Sequence, residues 1–178
     1  MLMRSTHYGF TLVELMIGLA IVGILIMTAL PSYTGWVHNT KIRNAAESVL
    51  NGLQLARAEA VHRNTNVQFV LGAASTWTVS VVNTAEVVQT RSSAQGSDTV
   101  TVARTPAAST TVTFNSLGRV APVNAALPVV PFTQLDFDVP TTILPAAASR
   151  DLRITVSAGG NVRMCDPTVT VVTDTRYC

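Results

Sequence analysis

Between residues 10 and 30 nearly every position is apolar, whereas between residues 42 and 60 apolar side chains recur at steps of three and four. The first pattern predicts a helix buried on all sides, and the second an amphipathic helix with one apolar face. At ~1.5 Å per residue the first segment is roughly 30 Å long, about the thickness of a bilayer's hydrocarbon core, so it is expected to span a membrane. It contains one acid, Glu14, a few residues from its start. A charge at the bilayer centre costs on the order of 3 kcal/mol unless paired, and although the cost falls near the end of a span, Glu14 still calls for a partner. Pro31 removes a backbone donor and is expected to kink the helix without ending it. Tyr33 and Trp36 then suit either the membrane interface or packing against neighbouring helices. Beyond them, Ile42, Ala45, Ala46, Val49, Leu53, Ala56 and Ala60 form the apolar face expected to lie on a sheet. Lys41, Arg43, Glu47, Arg57, Glu59 and Arg63 mark the solvated face, where Glu59 and Arg63 are spaced for an ion pair worth about 0.2–0.5 kcal/mol.

After residues 64–66 the helical period stops and β-prone runs begin. Strands are expected at residues 67–71 and 77–82, as a hairpin, then at 87–90, 100–104, 111–115 and 134–139. Residues 92–98 and the proline-rich stretch 121–131 read as loops. Residues 151–157 and 161–165 form the clearest hairpin, because Gly159 and Gly160 can take the positive φ of a tight turn. Residues 169–172 are expected to add a last strand. The layout is α+β: a long N-terminal helix whose second half packs on a twisted antiparallel β-sheet. Its segments are a polar leader (1–9), the transmembrane helix (10–31), the rest of the helix (32–65) and a β-rich domain (66–178).

Composition changes this picture little. The chain has 178 residues, 12% of them charged, and a formal charge of +2, which makes no electrostatic case for nucleic acid. Chemistry is hard to assemble. His7, His38 and His62 are scattered outside any metal-ligand spacing, and Asp136 and Asp138 share a strand face with no site around them. Trp77 reads as core. Nucleophile-elbow, Walker and dinucleotide-binding patterns are absent, so neither an enzyme nor a cofactor or metal is expected.

The junction carries more information. A short leader with Arg4 and His7, then Gly9-Phe10-Thr11-Leu12-Val13-Glu14, an apolar helix and a proline near its end, resembles the class III signal of type IV pilins and type II secretion pseudopilins. An ordinary secretory signal would lack an acid in its core, and no A-x-A-like site lies near Ala29. The resemblance implies cleavage by a prepilin peptidase after Gly9 and N-methylation of Phe10. It also implies that Glu14, fifth in the mature chain, meets the N-terminal amine of a neighbouring subunit. In a low-dielectric bundle such a pair removes the desolvation problem.

Two further stretches, residues 55–67 and Phe114-Asn115-Ser116-Leu117-Gly118-Arg119-Val120, resemble the FimT, FimU and GspH subgroup of minor pilins and pseudopilins. That implies a pilin-like fold and a structural subunit in the tip or priming complex of a type IV pilus or type II secretion pseudopilus. Its partners would be other pilins or pseudopilins, the prepilin peptidase and the inner-membrane assembly platform. The chain would cross the bacterial inner membrane once, with its C-terminal domain in the periplasm before it enters the filament. In that oxidising location Cys165 and Cys178 are expected to form a disulfide, two buried thiols being the alternative. Some FimT-like proteins are linked with DNA uptake through a G-R-x-R motif. Here the matching residues are Gly160-Asn161-Val162-Arg163, with one arginine of the two, and Arg153 could approach Arg163 across the turn. A DNA-binding pilin is therefore the alternative function.

Overall fold

In a computed structural model the described residues are 9–123 and 127–178, and within the helix the side chains of residues 28–32 lie outside the description. The leader up to residue 8, with Arg4 and His7, and the tip of the 121–131 loop are thus outside it, as is the side chain of Pro31. The chain divides into two units between Trp36 and Val37.

Helix α1 (Leu12–His62) runs through Pro31 and across this division. Thr11 and Glu14 start it and Asn64 ends it: Asn64 has φ 51°, and the amide of Thr65 reaches back to the carbonyl of Ala60 at 3.2 Å. An asparagine in the left-handed region is a common way to satisfy the last carbonyls of a helix. In the first unit, the large apolar side chains described between Phe10 and Met27 are 50–89% exposed in the single chain. Among the described residues no helix is long and apolar enough to cross a membrane, and the expected span of residues 10–30 runs into 28–32.

The second unit carries eight strands: β1 (Val67–Leu71), β2 (Trp77–Val81), β3 (Val87–Arg91), β4 (Thr101–Thr105), β5 (Thr111–Phe114), β6 (Gln134–Asp138), β7 (Leu152–Val156) and β8 (Val162–Cys165). They build two antiparallel four-stranded sheets, ordered β3-β2-β1-β5 and β4-β6-β7-β8, where one sheet was expected. The split follows from β4, which pairs with β6 over residues 101–105 and 134–138 and so starts a second sheet before β5 returns to β1. Residues 169–172 are not a strand. The Asp166 carboxylate holds the Thr168 amide at 2.9 Å, and the Asp166 amide bonds the carbonyl of Arg176, so this valine-rich stretch is folded into turns.

The seven apolar residues of the α1 face, from Ile42 to Ala60, are fully buried. They meet Phe69, Trp77, Val79 and Phe114 of the first sheet and Leu135, Phe137 and Ile154 of the second in one core. Helix and sheets each cover the other's apolar face, at about 25 cal/mol for every Å² removed from water.

Candidate assembly site

The start of α1 is built around two side chains three positions apart in the expected motif. The Thr11 hydroxyl accepts the Glu14 amide at 3.2 Å, and the Glu14 carboxylate accepts the Thr11 amide at 3.2 Å and its hydroxyl at 3.1 Å. This reciprocal arrangement satisfies two otherwise orphaned donors of the first turn. An acid there also complements the positive end of the helix dipole. Sequence reasoning assigned Glu14 an intermolecular partner and passed over this local one, although Thr-x-x-Glu before an apolar run is its signature. Gly9 and Phe10, the expected cleavage pair, precede the cap, and Phe10 is 89% exposed. Further along, the rings of Tyr33 and Trp36 lie with centroids 6.0 Å apart.

In the second unit polar contacts fix the loops on the helix. Asn39 donates to the carbonyl of Ala148 at 3.0 Å and accepts the amide of Arg150 at 2.9 Å. Lys41 pairs with Asp98 at 2.8 Å, and this hydrogen bond holds the exposed Asp98 carboxyl below its usual range. Arg63 bridges Glu59 at 2.6 Å and Glu86 at 3.0 Å. Arg57 donates to the carbonyl of Gly118 at 3.0 Å. Gly118 has φ +69° at the turn after β5, and Gly160, φ +81°, packs so closely on its carbonyl that a Cβ there would collide.

The remaining candidates meet on the outward face of the second sheet. Cys165 and Cys178 are joined by a disulfide, which draws the C-terminal tail over that face. Arg163 lies opposite Thr155 and Arg153 opposite Cys165, so the two arginines share a face on a diagonal. Each is engaged there. Arg153 pairs with Asp136 at 2.5 Å, and Arg163 donates to the carbonyls of Thr175 and Tyr177 at 3.0 and 2.6 Å. On the tail, the Arg176 guanidinium hydrogen-bonds Asp174 and lowers its carboxyl to about 2. Among the described residues there is no group of three His, Cys, Asp or Glu side chains that could hold a metal ion.

Residues 4–30 match the prokaryotic N-terminal methylation motif, and residues 45–160 match the family of the type II transport protein GspH. The chain is 40% identical over 57 residues to the type IV major fimbrial protein FimA of Dichelobacter nodosus, including strain VCS1703A. That match spans 32% of this chain and about a third, 35%, of the length of those relatives. The type IV minor pilin FimU of Pseudomonas aeruginosa (strain PAO1), solved in two crystal forms, superposes with TM-scores of 0.52 and 0.51 at 16% identity. The superpositions cover 76% and 72% of this chain and 99% of FimU, a likeness of fold. With a methylation motif at its start and the GspH match running over residues 45–160 of its 178, the chain belongs to the GspH family of type IV pilin-like proteins.

Proposed function

We propose that this chain is a minor pilin or minor pseudopilin, a structural subunit of the tip or priming complex of a type IV pilus or type II secretion pseudopilus. The observation that carries the reading is the join itself: a methylation motif opens an exposed apolar helix that continues unbroken into a packed GspH-like domain. A helix of this kind needs surroundings as apolar as its own surface. Residues 10–31 sit in the inner membrane until assembly and then among the helices of neighbouring subunits. The prepilin peptidase cuts after Gly9 and methylates Phe10, and Glu14 turns from Thr11 to the amine of a neighbour. Assembly is the mechanism, with the domain of residues 66–178 on the periplasmic side selecting the next subunit. The DNA-binding alternative draws no support from the arrangement of Arg153, whose charge is paired with Asp136, or of Arg163, which donates to the carbonyls of Thr175 and Tyr177.

The test is the mass of the mature N-terminus in a host that expresses the chain together with its filament machinery. A chain beginning at N-methylated Phe10 is expected. An uncut chain in a host whose pili and type II secretion are both intact without it would sink the reading.

A further inference from the structure

The C-terminal tail does more than cross the outward face of the second sheet; it borders an open cleft of about 430 Å³ on it. The floor is made by Gln134, Arg153 and Thr155, and the wall by tail residues that include Pro167, Val169, Thr170 and Tyr177. The volume lies within the range of small-molecule sites, roughly 300–1,000 Å³. The wall is tethered at several points: the Cys165–Cys178 disulfide, the two bonds from Arg163 and the bond from the Asp166 amide to the carbonyl of Arg176.

Asp136 arranges the floor. One of its oxygens takes Arg153 Nε at 2.5 Å and the other takes Gln134 Nε2 at 2.7 Å. This orients the amide oxygen of Gln134 as an acceptor and leaves both Nη groups of Arg153 as donors. The same pairing cancels the charge of Arg153. The hydroxyls of Thr155, Thr170 and Tyr177, like the Nη groups and the amide oxygen, have no hydrogen-bond partner among the described residues. The floor therefore offers donors, acceptors and hydroxyls that do both, with no net charge to attract an ion.

We propose that this cleft binds one ring of a neutral sugar. Each sugar hydroxyl both donates and accepts, which suits the mixture of groups on the floor. The apolar C–H face of a pyranose suits Pro167, Val169 and the ring of Tyr177. An extended peptide suits it poorly, because β6 and β7 are each paired on both sides and offer no free backbone ladder. Since Gln134, Thr155 and Arg153 stand on paired strands, the site is preorganised before a ligand arrives.

The experiment is saturation-transfer NMR on the full chain in detergent micelles, with methyl glycosides of glucose, galactose and N-acetylglucosamine, methyl glucuronide, and a neutral Ala-Ser tetrapeptide. At least one neutral glycoside is expected to bind, with affinity lowered about tenfold by Thr155→Val and by Gln134→Ala, each removing one contact of the floor. Circular dichroism confirms that each variant is folded, and either one alone suffices. The proposal is overturned if no neutral glycoside binds, if binding is unchanged in a folded variant, or if the glucuronide or the tetrapeptide binds more tightly than every neutral glycoside.

Discussion

Inside the core, the indole Nε1 of Trp77 donates to the hydroxyl of Ser48 at 2.8 Å, joining β2 to α1 through a polar bond. Trp77 is 3% and Ser48 5% exposed, so neither side chain has water as a substitute. Ser48→Ala is expected to leave the indole N–H unsatisfied and to destabilise the domain by about 1–3 kcal/mol. Chemical denaturation of the full chain in detergent measures it. Trp77→Phe in the Ser48→Ala background removes the orphaned donor, so the two losses should not add.

Gly52→Ala sets helix propensity against space. Alanine favours the helix by about 1 kcal/mol over glycine. A Cβ at position 52, however, would lie 2.8 Å from Phe69 Cε2 and 3.0 Å from two carbons of Trp77. Both rings are buried and stacked on each other, with centroids 5.7 Å apart, and have little room to withdraw. Overpacking of this kind costs about 1–3 kcal/mol, so a net loss of thermal stability is expected. A melting temperature equal to or above that of the parent chain would show that the helix moves off the sheet without penalty.

Removing the disulfide by Cys165→Ser with Cys178→Ser is expected to cost about 2–4 kcal/mol, as loop closure in the unfolded chain is lost. The effect should be strongest in the tail. Hydrogen exchange at residues 166–178 reports it: faster exchange there is expected, with β1 and β2 unchanged.

Asp151 supplies a pH dependence of defined sign. Partial burial raises its carboxyl above the usual range, and the charge of Asp138 adds to this, while a hydrogen bond from Ser149 opposes it. Ser149 lies 2.6 Å from Asp151 and 3.2 Å from Asp138, with one hydroxyl proton for the two carboxylates. A raised folded-state pKa means that the folded protein holds this proton more tightly than the unfolded one. The resulting stability is full below the ordinary carboxylate range and is lost as pH rises through the folded-state value. Asp151→Asn, which keeps the shape and loses the charge, is expected to raise the melting temperature at pH 7 and to have little effect at pH 3. Equal shifts at both pH values would refute the repulsion.

One substitution separates the cap that Glu14 makes from the role proposed for it at a neighbour's amine. Glutamine completes a capping box as glutamate does, whereas alanine does not. Glu14→Gln should therefore keep the helix start and lose the charge. If the pairing with a neighbour's amine governs assembly, both Glu14→Gln and Glu14→Ala enter filaments poorly while remaining in the membrane. Normal entry of Glu14→Gln, with failure of Glu14→Ala, would assign the role to the cap.

Much of the fold was legible because it depends on local period. Ile42 to Ala60 announced the buried face of α1, the alternation in Val67–Leu71 and Gln134–Asp138 announced strands, and Gly160 announced a turn. Pairing across long separations was not legible. Nothing in residues 101–105 shows that they join residues 134–138 rather than the preceding hairpin. The tail misled for a related reason: Val169, Val171 and Val172 have β propensity, but Asp166 and Asp174 hold their neighbours in turns, so the stretch does not add to the open edge of β8. At the assembly site, Glu14 was read for its cost in a membrane, which hid its bonds to Thr11.

One peptide group, that of Gly118, is where α1 and the turns of both sheets come together: its carbonyl takes Arg57 Nε and abuts Gly160, and the neighbouring Val120 amide reaches Ala158. Arg57, Gly118 and Gly160 thus tie the helix and both sheets at one point, so a side chain added at position 160 would disturb all three together.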